Sequence, residues 1–305
     1  MRIRNTPQLA IVMTLIATFF WGSNFQVTKI TLMNLPPWTA SAERFAFAAL
    51  FIFLFMISRK KFNIGILRKN WLTFILLGGI GVAGFNGALF VGLQYANPVS
   101  AALIMATTPV TTNIFESIIN RRSPDIVRIT GMILSLFGVI LVVTNGQPML
   151  GNTTHINTGE LIIFLGSLGW AIYTIGIRTF VIESTPLEST GWTMFFGTII
   201  LSIIAISVES PVSTLLSAPF ESHLADFYMG LAGSVVAYLF WNIAITIRGA
   251  GKTAIFFNFV PIFALAIQTI VGDSPSFIQL SGSALTIIGV LIGQGISKGS
   301  ERTSQ

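Results

Sequence analysis

Residues Leu93 to Val110 read LQYANPVSAALIMATTPV: an apolar run, a short polar break at Asn97-Pro98, a small-residue segment, and a proline, Pro109, set inside hydrophobic sequence. A similar design returns at Ile245 to Ile262, ITIRGAGKTAIFFNFVPI, where a break at Arg248–Lys252 precedes Pro261. One structural idea used twice predicts a duplicated fold, and the rest of the chain is read outward from that echo.

Of the 305 residues, 53% are hydrophobic and only 9% charged. A soluble domain carries about 25% charged residues. This chain cannot clothe a globule in polar surface and is read as an integral membrane protein. It has no cysteine, which removes disulfides and thiolate metal sites. Its two histidines, His155 and His223, fall in segments read as loops. The N-terminus, MRIRNTPQLAIVMTLIATFF, has the basic start and apolar core of a signal peptide. It lacks a small-x-small cleavage site before the run continues through Trp21, so it is read as a retained first helix.

A hydrocarbon core about 30 Å thick takes about 20 apolar residues per helix. That scale predicts ten transmembrane helices, in an all-α membrane fold: Leu9–Thr31, Trp38–Ile57, Trp71–Tyr95, Pro98–Ile119, Ile126–Thr144, then Glu160–Phe180, Leu187–Val208, Asp226–Ile247, Gly251–Val271 and Phe277–Ser297. Cytoplasmic loops collect Lys and Arg. With the N-terminus inside, all of the 17 Lys and Arg residues except Lys29 and Arg44 fall in cytoplasmic segments, while Glu209, Glu221 and Asp273 lie outside. A shift by one helix destroys this asymmetry, so both termini are placed in the cytoplasm and the protein in the cell membrane.

The halves, 9–144 and 160–297, match beyond the opening stretch. Trp21 and Lys29 answer to Trp170 and Arg178 at equal spacing, Ser123-Pro124 to Ser274-Pro275, and Gly131/Gly138 to Gly282/Gly289. Five helices per repeat is an odd number, so the second repeat is inverted relative to the first. The loops agree: the 2–3 loop is basic while its counterpart, the 7–8 loop, is not. Inverted repeats are an architecture of secondary transporters, with the site near the midplane where the repeats meet.

The five-plus-five inverted helices, a WG/WA dipeptide in helices 1 and 6, the helix 4 and 9 prolines, and WTASAERFAFAAL with Arg44 in helix 2 resemble the drug/metabolite transporter superfamily, specifically its EamA-type exporters. The resemblance runs from about Ala10 to Ile296. It departs before helices 5 and 10, where that family often carries Gly-Glu and this chain reads Arg-Arg-Ser-Pro and Gly-Asp-Ser-Pro. The resemblance implies a ten-helix permease, often an exporter of amino acids or related metabolites.

Candidate site residues follow from the repeat equivalence. Trp21, Asn24 and Thr28 share a face of helix 1, matched in helix 6 by Trp170, Tyr173 and Ile177. Asn86 and Phe90 in helix 3 correspond to Tyr238 and Asn242 in helix 8, with Trp241 between them. An unpaired amide in hydrocarbon costs several kcal/mol, so Asn24, Asn86 and Asn242 should face the bundle interior. Pro109 and Pro261 each remove a backbone donor, and are read as hinges whose freed carbonyls, with Thr107, Thr108, Thr112 and Asn258, line a cavity. The aromatic belt, helix–helix amide bonds and static kinks are the structural alternatives. Glu43 and Glu116 are the membrane carboxylates able to serve proton coupling; a local ion pair and a snorkelling end residue are their alternatives. Lys29 and Arg178 read as interface anchors.

So little cavity charge argues against polyanionic substrates. The favoured function is a secondary carrier exporting a small amphipathic metabolite such as an amino acid, with a multidrug or other metabolite permease as the alternative. A membrane-embedded enzyme has no nucleophile–base pair to work with, and no GxxxxGK[ST] stretch supports ATP coupling. No cofactor, metal or nucleic-acid partner is expected; the partners are a small-molecule substrate and the bilayer. Oligomeric state is left open.

Overall fold

The computed structural model describes residues 6–96, 98–147, 157–272 and 274–294, without the side chains of 98 and 99. The readings placed on Asn97, His155, Asp273 and the charged residues of both termini lie outside these residues. Ten apolar helices organise the described chain: α1 Pro7–Leu32, α2 Pro37–Ser58, α3 Ile64–Gly92, α4 Ser100–Asn120, α5 Ile126–Thr144, α6 Thr158–Thr179, α7 Pro186–Val208, α8 Phe220–Arg248, α9 Ala250–Val271 and α10 Phe277–Gly293. The first nine are long and apolar enough to cross a bilayer, and α10 is a shorter apolar helix. A short helix, Pro211–Ser217, links α7 to α8.

Local chemistry starts these helices. Thr6 caps α1 by accepting from the Leu9 amide at 3.3 Å, with Pro7 in the first turn where its missing N–H costs nothing. Capping boxes open α6 (Asn157 with Glu160), α7 (Thr185 with Glu188) and α10 (Ser276 with Gln279). Two helices begin earlier than hydropathy indicates. Asn63 accepts from Gly65 N at 2.8 Å and starts α3 before Trp71. Helix α8 starts at Phe220, not Asp226, because its first two turns are polar. His223 is therefore a helical residue within the bundle, which corrects its reading as a loop residue.

Helices pack in antiparallel pairs: α1 with α8, α3 with α6, α2 with α7, and α5 with α10. Exchanging each helix for the one five places along maps these pairs onto one another, and maps α1–α9 onto α6–α4. That is the inverted repeat seen as packing. Helices α5 and α10 touch backbone to backbone: a Cβ on Gly131 would lie 2.2 Å from Gly293 N, and one on Gly138 would lie 2.5 Å from Thr286 N. Small residues of this kind let membrane helices approach closely. Across α2–α7, the Glu209 carboxylate accepts from the Trp38 and Thr39 amides at 3.1 and 2.7 Å, closing the N-terminus of α2.

Equivalent helices are irregular at equivalent places. Helices α3 and α8 each widen into π-helical turns, at Gly78–Gly84 and Met229–Val236. Helix α4 is interrupted at Thr107 just before Pro109, and α9 tightens into a 3-10 turn at Ile255–Asn258 just before Pro261. Pro109 cannot donate to Met105 O, and the Thr108 hydroxyl takes that carbonyl at 2.5 Å. Such departures from regular helix recur at functional sites, and here all four surround the bundle centre.

Candidate functional site

Between α1, α2, α3, α4, α8 and α9 lies a chamber of about 50 Å³, whose polar lining is Asn24, Thr28, Arg44, Asn86 and Tyr238, set among Trp21, Phe25, Phe90 and Phe257. It adjoins a vestibule of about 540 Å³, with which it shares walls at Phe25, Thr28, Leu93, Met105, Phe257 and Val260. The vestibule reaches Leu32, Met33, Gln268 and Gln279, at the end of the bundle opposite the basic loops.

Repeat-equivalent side chains meet across the central axis. The Asn86 amide donates to the Tyr238 hydroxyl at 2.8 Å and to Val82 O at 2.8 Å. Trp21 and Trp170 pack edge to face with ring centroids 5.3 Å apart. Trp21 also donates from Nε1 to Gly233 O at 2.9 Å. Gly233 is glycine because Asn24 occupies its side-chain space: a Cβ there would lie 2.2 Å from Asn24 Nδ2. Asn24 Oδ1 is buried with no protein donor. An acceptor so placed beside a chamber is available to a ligand.

Toward the basic end the chamber is floored by packed aromatics. Trp170 stacks on Tyr173 at 5.2 Å, and Trp241 packs against Trp21 at 5.0 Å. Asn242 donates to the Tyr173 hydroxyl and to Thr190 Oγ1, both at 2.8 Å. Of the ten residues picked from sequence as substrate-binding, Trp21, Asn24, Asn86, Phe90 and Tyr238 line the chamber. Trp170, Tyr173, Trp241 and Asn242 form its floor. Asn258 faces away, donating to Ser135 Oγ of α5 at 2.8 Å. Pro261 lines the vestibule, whereas Pro109 is buried in α4.

Below the floor, the basic end is shut. Asn113 of α4 donates to Gly251 O of α9 at 3.3 Å and to Pro109 O at 2.8 Å. Arg128 reaches Glu116 at 3.4 Å and Asn113 Oδ1 at 3.3 Å. Arg248 bonds Pro7 O and Gln294 Oε1, tying α8 to both ends of the described chain. Glu116 thus sits in a polar closure, and Glu43 meets His223 Nδ1 at 2.6 Å.

Sequence reasoning noted Arg44 as an intramembrane cation but gave it no role. It is 3% exposed, donates from Nε to Ser234 Oγ at 3.0 Å, and presents its guanidinium over the Phe45 ring at 5.1 Å while lining the chamber. Its position in mid-helix was the available signal. Asp226 was missed because the predicted helix began there.

A family model describing the EamA-like transporter family matches this chain twice, over residues 8–144 and 157–293. The chain belongs to the EamA-like transporter family. It is a multi-pass membrane transporter of the drug/metabolite transporter superfamily, acting on small molecules within a bilayer. An EamA relative, the uncharacterized transporter YyaM of Bacillus subtilis, is 37% identical over 285 residues, spanning 93% of each chain. The WAT1-related chloroplastic protein At3g02690 of Arabidopsis thaliana is 26% identical, covering 90% of this chain and 66% of that protein. A solved crystal structure superposes with a TM-score of 0.79 at 17% identity, covering 94% of this chain and 98% of the other, a likeness of fold.

Proposed function

We propose that this EamA protein is a secondary carrier that exports a small amphipathic metabolite such as an amino acid, by alternating access around the central chamber. The observation that carries the reading is the chamber itself: adjoining the vestibule at one end, bounded at the other by the bonds among Asn113, Glu116, Arg128 and Gly251, and lined on its axis by pairs of repeat-equivalent residues. An inverted repeat closed at one end holds the pattern for closing the other. The basic loops favour a cytoplasmic shut end with both termini beside it; on that reading the chamber faces outward across the cell membrane.

Chamber chemistry favours a zwitterion with an apolar part. The Arg44 guanidinium suits a carboxylate, the unpaired Asn24 Oδ1 suits an ammonium donor, and Phe25, Phe90, Phe257 and Val260 suit a side chain. Pro109 and Pro261 serve as hinges, each beside a helix irregularity that a bend can use. The vestibule walls, rich in Leu, Met, Phe and Val, favour a second reading: a multidrug or other metabolite permease accepting apolar solutes. No chemical step is assigned to the chamber. The test is counterflow of radiolabelled leucine, threonine and phenylalanine, with a lipophilic cation as comparison, in proteoliposomes. The reading expects saturable uptake accelerated by unlabelled amino acid inside. Flux that neither saturates nor shows trans-stimulation for any solute overturns it; stimulation by the lipophilic cation alone selects the second reading.

A further inference from the structure

A second polar cluster lies outside the chamber, toward the end opposite the basic loops, where α1, α2 and α8 meet. His223 Nδ1 contacts Glu43 Oε1 at 2.6 Å, and Thr31 Oγ1 donates to Asp226 Oδ1 at 3.2 Å. Asp226 stands one turn along α8 from His223, which puts its carboxyl on the helix face that meets Glu43. Asp226 is fully buried, and both its Oδ2 and Glu43 Oε2 lack a donor from the protein. Two carboxylates sharing a water-poor site resist being ionised together, so the pair holds one proton until water or a cation reaches it. A single proton between them supplies the donor that both orphan oxygens need, as in the carboxyl pair of aspartic proteases.

The surroundings support a proton as the occupant. From α1 the cluster is faced by the Thr31 hydroxyl, while Lys29 is exposed and lines the vestibule. On α2, Arg44 follows Glu43 in sequence and bonds Ser234 of α8 at 3.0 Å. On α8, Tyr228 is bonded to Ser23 at 2.7 Å, Tyr238 stands on the chamber side of Arg44, and Glu221 is exposed. The neighbouring carboxylate of α7, Glu209, is held by the α2 amides. A metal ion would compete for the same oxygens, but Arg44 repels it. Among the described residues, no three His, Cys, Asp or Glu side chains converge closely enough to hold one.

We propose that Glu43, Asp226 and His223 form a proton-binding site that couples solute movement to proton movement, with Arg44 linking it to the chamber; the coupling rests on the carrier reading. The His223 side chain is 27% exposed and takes a solvent proton at Nε2. It passes the proton on Nδ1 to Glu43 Oε1 and returns to a neutral imidazole. One N–H bond forms at Nε2, another breaks at Nδ1, and one O–H bond forms on the carboxyl pair. The proton is then shared between Glu43 and Asp226. Loaded, the pair presents one negative charge to Arg44; unloaded, it presents two. The grip of Arg44 on a solute carboxylate changes accordingly.

Infrared difference titration of the purified protein tests the site without a solute. The expected result is a deuterium-sensitive carbonyl stretch of one protonated carboxyl near neutral pH, lost in both Glu43→Gln and Asp226→Asn and kept in Glu116→Gln. No such band, or a band untouched in both variants, overturns the site. His223→Gln should keep the band and slow its deuterium exchange; unchanged exchange removes His223 from the relay. Radiolabelled leucine flux in proteoliposomes then tests coupling. The steady-state solute accumulation ratio should change about tenfold per pH unit of gradient for one exchanged proton, and the response should flatten in Glu43→Gln and Asp226→Asn. Saturable flux that ignores the pH gradient sinks the coupling and leaves the carrier standing. A band without saturable flux of any solute sinks the carrier reading and the coupling with it.

Discussion

Replacing Gly251 with alanine should open the basic end. Gly251 lies in the first turn of α9, and a Cβ built there would sit 2.2 Å from Glu116 Oε2 and 2.4 Å from Asn113 Oδ1. Glu116 is the far end of a flexible, mostly buried side chain (18% exposed) held by Arg128 at 3.4 Å, and it borders a cleft into which it can swing at about 0–1 kcal/mol. Asn113 cannot swing so cheaply. It is 1% exposed, and moving it breaks its bonds to Gly251 O and from Arg128, each a net loss of about 1 kcal/mol. The gain in helix propensity from glycine to alanine applies to both conformations and cancels in their ratio. The closed basic end therefore loses about 2 kcal/mol, roughly a 30-fold shift in the balance between its closed and opened forms. Because the chain has no cysteine, spin labels can be attached at introduced cysteines without background. Labels at Asn120 and Lys252 should separate in Gly251→Ala, while labels at Met33 and Thr269 should approach. Distance distributions identical to those of the parent protein at both ends would refute the claim that this contact holds the closure.

Three further outcomes follow from the packing. Asn86→Ala leaves the buried Tyr238 hydroxyl without its donor, at a cost of about 1–3 kcal/mol; with Tyr238→Phe it should give a coupling near 1 kcal/mol in a thermal-stability double-mutant cycle, and additivity would place the two residues outside one bonded pair. Glu116→Gln weakens the basic-end closure by removing the Arg128 ion pair, so solvent accessibility of a cysteine placed at Asn120 should rise while any pH dependence of flux persists; a flattened pH response would transfer the coupling role to Glu116. Gly138→Leu places atoms into the α10 backbone, where Thr286 N lies 2.5 Å from a Cβ, and should abolish monodisperse protein in detergent-based size-exclusion chromatography. A well-behaved, fully stable Gly138→Leu protein would mean that α5 and α10 separate easily.

The repeats were legible because duplication leaves paired marks, and hydrophobic length counts helices directly. The axis contacts followed from equivalence alone: Asn86 with Tyr238, and Trp21 with Trp170, sit at matching places and meet. What escaped depends on rotation and reach. Asn258 turns to Ser135 because the 3-10 turn of α9 rotates its face toward α5, a twist no period of 3.6 foresees. His223 and Asp226 escaped because a hydropathy scale sees the hydrocarbon span, whereas α8 continues two polar turns beyond it.

Which end stands closed is also written in the side chains, once the fold shows where to look. The repeat equivalents of Asn113 and Glu116 in α4 are Leu265 and Gln268 in α9, and both of these line the open vestibule. At the basic end, an amide and a carboxylate meet Gly251 and Arg128 through directed bonds. At the other end, the same positions offer an apolar chain and a neutral amide, and among the described residues Lys29 is the one charged group in the vestibule wall. An inverted repeat with identical halves would close either end equally well. The substitution of a bonded pair by Leu265 and Gln268 breaks that balance and favours the arrangement seen here, with the basic end bonded and the vestibule open. Introducing Leu265→Asn should move the balance back toward closure of the vestibule, read by a shorter Met33–Thr269 label distance; an unchanged distance would mean that the asymmetry resides elsewhere, in the Arg248 ties at the basic end.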